Sequence, residues 1–148
     1  MQPDELYLPM NQLTPDIRND VKTFCQQGYK QYDEQNYTAA LRLFYQAWVK
    51  LPKPQHDYEE SGWALTAIGD TYFKLKKYKQ AIEALRSALC CPNISDNPFV
   101  NLRLGQCLYE SGQQYQGRVY LHRSYRAQGK VYFDQEDTKY LHAIDDLI

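Results

Sequence analysis

The sequence has little of what catalysis and metal binding require. Histidine occurs only at His56, His122 and His142. No two stand at the i, i+4 spacing that brings two ligands onto one helix face. The cysteines, Cys25, Cys90, Cys91 and Cys107, lack the Cys-x-x-Cys spacing of a zinc or redox site. Cys90 and Cys91 are chain neighbours and do not readily bridge each other, so the expectation is four reduced thiols and a cytoplasmic location. Gly-x-Gly-x-x-Gly, phosphate-loop and Gly-x-Ser-x-Gly patterns are absent. The carboxylate pairs Glu59-Glu60 and Asp145-Asp146 are sequence neighbours. Neighbours on a helix point about 100° apart, so neither pair forms a convergent acid–base site. These gaps predict no enzyme activity, no cofactor and no metal.

Charge of one sign is also missing. Seventeen Lys and Arg face eighteen Asp and Glu, a formal net charge of -1. Such a balance offers no basic face for nucleic acid. No apolar run approaches ~18 residues, so no membrane span is expected. The Met-Gln-Pro-Asp-Glu start lacks the basic, then apolar, pattern of a signal peptide. Asn36-Tyr37-Thr38 and Asn93-Ile94-Ser95 match the glycosylation pattern but read as turns.

Tyrosine is abundant instead, at 14 of 148 residues. Its apolar body and polar tip suit both helix packing and wet protein interfaces. The chain also repeats itself. Gly28, Gly69 and Gly105 stand 41 and 36 residues apart. After them come small and large residues in a common order: Ala40 and Phe44, then Ala81 and Leu85, then Gly117 and Leu121. A small residue lets two helices approach, and a large one fills the space beside it. The third unit is the weakest, with Gly117 and Ser124 at its small positions.

Caps and breakers divide the chain. Residues 1–13 read as an extended arm. Thr14 with Pro15 opens a helix to about Asp33. A second helix covers about 37–50 and is ended by Pro52. Further helices are expected over about 57–75, 78–90, 98–112 and 114–128, the last stopped by Gly129. Tyr140, Leu141, Ile144, Leu147 and Ile148 recur at steps of three and four, predicting a last amphipathic helix over about 136–147. Lys74, Lys76, Lys77 and Lys79 gather at one turn, a solvated turn or an acidic-partner contact.

The repeat resembles the tetratricopeptide family. Its period is about 34 residues, and its pattern runs Leu-Gly-x-x-Tyr, Ala-x-x-x-Phe, Pro. Here Ile68-Gly69 with Tyr72 matches most fully. The resemblance covers about residues 21–125. It implies an all-α solenoid of three helix-turn-helix repeats over 14–134, with a capping helix at 135–148. It also implies a concave groove lined by the first helix of each repeat. That groove would hold Lys22, Cys25, Tyr29, Tyr32 and Asp33, then Trp63, Thr66, Asp70, Phe73 and Lys74, then Phe99, Leu102, Gln106, Tyr109 and Glu110. Aromatic residues with scattered charge suit a binding surface. The groove is either free for a partner or covered by the chain's own last helix or N-terminal arm.

In the co-chaperone branch this groove grips a terminal carboxylate with five polar side chains. The matching positions are Cys25, Tyr29, Ala67, Phe99 and Arg103, of which only Arg103 fits. A carboxylate clamp is not expected. A narrower likeness lies in Ala67–Phe73, Asn97–Gln106 and Phe133–Leu141, with Thr138 where proline is frequent. These stretches resemble small bacterial tetratricopeptide proteins encoded beside polymorphic toxins and regarded as their immunity proteins. That likeness implies a tight, stoichiometric inhibitor that neutralises a cognate toxin domain; a monomer or weak homodimer is expected. The alternative is an adaptor or secretion chaperone that binds a peptide segment in the groove.

Overall fold

The computed structural model describes residues 12–148, so the expected arm over 1–13 lies outside the described residues except for Gln12 and Leu13. Seven α-helices follow: α1 Pro15–Asp33, α2 Tyr37–Lys50, α3 Glu59–Lys74, α4 Tyr78–Leu89, α5 Pro98–Glu110, α6 Gln114–Gln128 and α7 Thr138–His142. No helix among the described residues is long and apolar enough to cross a membrane.

Local chemistry sets the boundaries. The Thr14 hydroxyl accepts from the Ile17 amide at 3.4 Å, with Pro15 in the first turn of α1. Asn97 Oδ1 accepts from the Phe99 and Val100 amides at 2.9 and 3.2 Å and starts α5. Gly129, at φ 64°, stops α6 in a conformation that L side chains resist. A short 3-10 turn, Gln55–Asp57, takes the place of the first residues expected in α3.

The hairpins α1/α2, α3/α4 and α5/α6 share one turn. Gln35, Lys76 and Gly112 each adopt positive φ. The next amides, of Asn36, Lys77 and Gln113, donate to Gln31, Tyr72 and Leu108 carbonyls at 2.8, 2.9 and 2.9 Å. The three turns recur at the spacing of the three glycines, so the repeat is a property of the backbone.

Each hairpin closes on its glycine. A Cβ on Gly28 would lie 2.4 Å from Phe44, and one on Gly69 2.5 Å from Leu85. The third crossing is tighter, because Gly105 and Gly117 face each other. A Cβ on Gly117 would meet the Tyr109 nitrogen at 2.8 Å and the Gly105 oxygen at 2.9 Å. Neighbouring hairpins then stack: Phe44 and Ala40 pack with Ala67 and Ile68, while Leu85 and Ala88 pack with Val100 and Leu104.

The C-terminal segment departs from the single helix expected over 136–147. It forms turns to Asp137, the short α7, and a 3-10 turn at Asp145–Leu147. Asp137 caps the Lys139 amide at 3.0 Å, so helix starts at Thr138. Ile144 then leaves helical geometry (φ -118°, ψ 15°). Tyr140 and Ile144 are buried with Phe133, Leu102 and Leu121. Leu141 packs at their edge while Leu147 and Ile148 stay exposed, so the expected apolar stripe is used only up to Ile144.

Candidate functional site: the concave face

The faces of α1, α3 and α5 that carry the expected groove residues are tied together by one polar network. Arg103 Nε donates to Asp70 Oδ1 at 2.8 Å. Tyr32 Oη donates to the same oxygen at 2.8 Å. The other side of the guanidinium reaches Gln106 Oε1 at 2.8 Å and the Glu136 carboxylate. Gln106 Nε2 also donates to Glu136, at 2.8 Å. Arg103 lies over the rings of Phe73 and Phe99, 4.6 and 5.0 Å from their centroids. A planar guanidinium satisfies carboxylates at its edge while its faces stack on rings.

Asp70 is 2% exposed, Arg103 5%, and Gln106 is fully buried. Burial acts to lower the Arg103 pKa, but Asp70 and Glu136 more than offset it, and the guanidinium stays charged. Burial pushes the Asp70 carboxyl up, against Arg103 and Tyr32, which pull it down. The Tyr32 phenol is raised by burial and by Asp70, so it remains a donor.

Three of the expected groove residues are engaged within the chain: Asp70, Arg103 and Gln106 are buried and bonded to one another or to Glu136. They were read as surface because polar residues on an amphipathic helix face solvent unless something covers them. The cover is the C-terminal segment. Tyr140 donates to Glu110 at 2.8 Å and stands edge-on to Tyr109, with centroids 6.0 Å apart. Lys139 pairs with Glu110. Tyr132 approaches Phe99 at 6.4 Å. Phe73, Phe99, Tyr109 and Glu110 therefore border the chain's own segment.

Leu102 is buried with Phe133 and Tyr140, and the rest of the expected set lies on the first two repeats. Tyr29 and Tyr32 stand edge-on at 5.5 Å, and the Lys74 ammonium lies 6.0 Å above the Tyr32 ring. Trp63 is half-buried, while Asp33 and Lys74 are exposed. A cavity of ≈ 430 Å³ opens beside Lys74 and Lys76, bounded by Phe73, Tyr78 and the segment's Glu136 and Tyr140. Sequence reasoning missed Glu136, whose only signal was one carboxylate within an acidic stretch. Tyr140 carried a signal in the apolar periodicity.

No family model and no curated protein matches the sequence. Solved structures do match in shape. One is the TPR domain of Arabidopsis OM64, with TM-score 0.69 at 11% identity, covering 88% of this chain and 96% of that one. The fold is a tetratricopeptide-type all-α solenoid. A second match is the Yersinia enterocolitica type III secretion chaperone SycD in complex with a peptide of the translocator YopD. It has TM-score 0.67 at 15% identity and covers 86% of this chain and 92% of that one. At such identities the likeness is one of fold.

Proposed function

We propose that this tetratricopeptide-type protein is a non-catalytic module that binds a peptide segment of another protein, as an adaptor or secretion chaperone. The segment lies on the open part of the concave face, against Tyr29, Tyr32, Asp33, Trp63 and Lys74. The observation that carries this reading is the chain's own C-terminal segment, which seats Glu136 and Tyr140 against the third-repeat part of the same face. A face that accommodates one non-repeat segment has the width and chemistry for another. The fold shared with a peptide-bound chaperone supports it. The test is a peptide array over candidate partners, with Trp63→Ala and Tyr32→Phe variants. Short peptides should bind, and Trp63→Ala should weaken them at least about tenfold, as loss of an aromatic anchor does. Uniform binding by wild type and Trp63→Ala sinks the groove assignment.

A second reading, neutralisation of a cognate toxin domain in the bacterial cytoplasm, is favoured by the three stretches that resemble immunity proteins. Those stretches supply Asp70, Arg103, Gln106 and Glu136, the residues of the internal network, so the resemblance speaks first to architecture. Under this reading short peptides fail to bind, whereas a folded toxin encoded next door co-purifies and growth is rescued on co-expression. Absence of a complex with that toxin rejects it.

A further inference from the structure

The two ends of the stack are finished differently. At the C-terminal end, Phe133, Tyr140 and Ile144 close over Leu102 and Leu121. At the N-terminal end, the outer side of α2 carries a groove of ≈ 700 Å³ whose apolar lining is Phe24, Leu41, Tyr45 and Val49. Val49 is 75% exposed and Tyr45 40%. Arg42 and Lys50 also line it. Arg42 forms no salt bridge among the described residues, and Lys50 has only Asp20, at 3.8 Å and half exposed. The terminal units of a repeat stack ordinarily turn a polar face outward; among the described residues this one sets Tyr45 and Val49 outward beside the polar Thr38, Arg42, Gln46 and Lys50.

The complement of that groove is displayed at the other end. Asp145-Asp146-Leu147-Ile148 presents Leu147 (44% exposed) and Ile148 (50%) directly after two exposed carboxylates. The tail cannot fold back into its own groove. Arg118 Nε holds the Ala143 carbonyl at 2.8 Å and its guanidinium pairs with Asp146, fixing the tail to α6. Helices α3, α4 and α5 stand between α6 and α2.

We propose that copies of this chain associate head to tail. Leu147 and Ile148 of one copy enter the Phe24–Leu41–Tyr45–Val49 groove of the next, with Asp145 facing Arg42 and Lys50. The occupant is a second copy because the chain itself supplies the apolar plug and the opposite charge: Asp146 is held by Arg118, while Asp145 has only the exposed His142, at 3.1 Å, and can turn to a partner's cations. A plug of about four residues in one groove falls at the small end of protein interfaces, below about 1,200 Å² in total, so the contact is weak and follows concentration. Because the two surfaces differ, association does not stop at a two-fold dimer but grows into short chains or a ring.

Light scattering on the full chain from ~10 µM to ~1 mM, the range of weak association, tests this. The average mass should rise with concentration beyond that of a dimer. Val49→Glu and Leu147→Glu, each at an exposed position, should both remain monomeric. Mixed in equal amounts, they retain one good groove and one good tail between them. The mixture should form a dimer and nothing larger. Arg42→Glu with Asp145→Lys in one chain should restore assembly that either change alone weakens, which keeps the test valid if Val49→Glu misfolds. A wild type that is monomeric throughout overturns the proposal. So does assembly lost in Val49→Glu but kept in Leu147→Glu, which means the groove meets another groove or a different element.

Discussion

Arg103 Nε lies 2.8 Å from Asp70 Oδ1, a buried ion pair joining the second repeat to the third. Breaking such a pair from one side leaves an uncompensated buried charge and costs about 3–5 kcal/mol, whereas an apolar replacement of both partners is often neutral. Arg103→Met should therefore destabilise the protein strongly in urea titrations. The double variant Asp70→Leu/Arg103→Met should recover only the part of that loss due to Asp70, because Glu136 still lacks its guanidinium and Tyr32 its acceptor. A single-variant cost under about 1 kcal/mol means that the pair does not hold the repeats together.

The third hairpin has no room for a side chain at its crossing. Gly117→Ala places a methyl against backbone atoms of α5 on two sides. Overpacking of this kind costs about 1–3 kcal/mol. A lowered melting temperature is expected, with no change for the exposed neighbour Gln116→Ala. Unchanged melting of Gly117→Ala means that the helices separate freely there.

Acid should loosen the C-terminal segment. Burial tends to raise the Glu110 carboxyl, but hydrogen bonds from Lys139 and Tyr140 more than offset it and hold its pKa below the ordinary 4.5. Arg118 holds Asp146 below its ordinary 3.8. A carboxyl with a depressed folded-state pKa lends stability above its unfolded value and loses it as pH falls through the folded one. The segment's contacts should persist at about pH 6 and weaken only below about pH 4.5. Amide exchange over residues 138–147 at several pH values measures this. Loss of protection already at neutral pH contradicts it.

Thiol reactivity should be selective. Burial pushes the Cys25 thiol up to about 11, Cys91 to about 11 and Cys107 to about 12. Only the thiolate is an effective nucleophile. Cys90 is exposed. With limiting iodoacetamide at neutral pH, peptide mass spectrometry should find label on Cys90 first. Equal labelling of Cys107 contradicts its burial.

Much of the stack was legible because its signals are local. Gly28, Gly69 and Gly105 mark close approaches that only a missing Cβ permits, and each precedes its large partner by the same 16 residues. Thr14, Pro15, Asn97, Pro98 and Gly129 act within one turn of their positions. The concave face was less legible because its fate is decided at long range. Asp70 and Arg103 are 33 residues apart, and Arg103 and Glu136 another 33. No periodicity connects them, so on the helix pattern alone they have the profile of solvated groove residues. The periodicity predicts one helix over 136–147 because Tyr140 and Ile144 keep helical spacing. Nothing local revealed that the chain bends after Ala143. The apolar groove on α2 was not legible because the repeat pattern singles out Ala40 and Phe44 and says nothing of Leu41, Tyr45 and Val49.

In a stack where each hairpin touches only its neighbours, unfolding can start at either end and run inward. The network around Arg103 changes that symmetry. It binds α3, α5 and the C-terminal segment through shared bonds, so the second and third hairpins melt as one cooperative unit. The first hairpin reaches this unit through the Tyr32–Asp70 bond and its packing against α3. It is the end expected to fray first, and its helices carry both the aromatic half of the concave face and the apolar groove on α2.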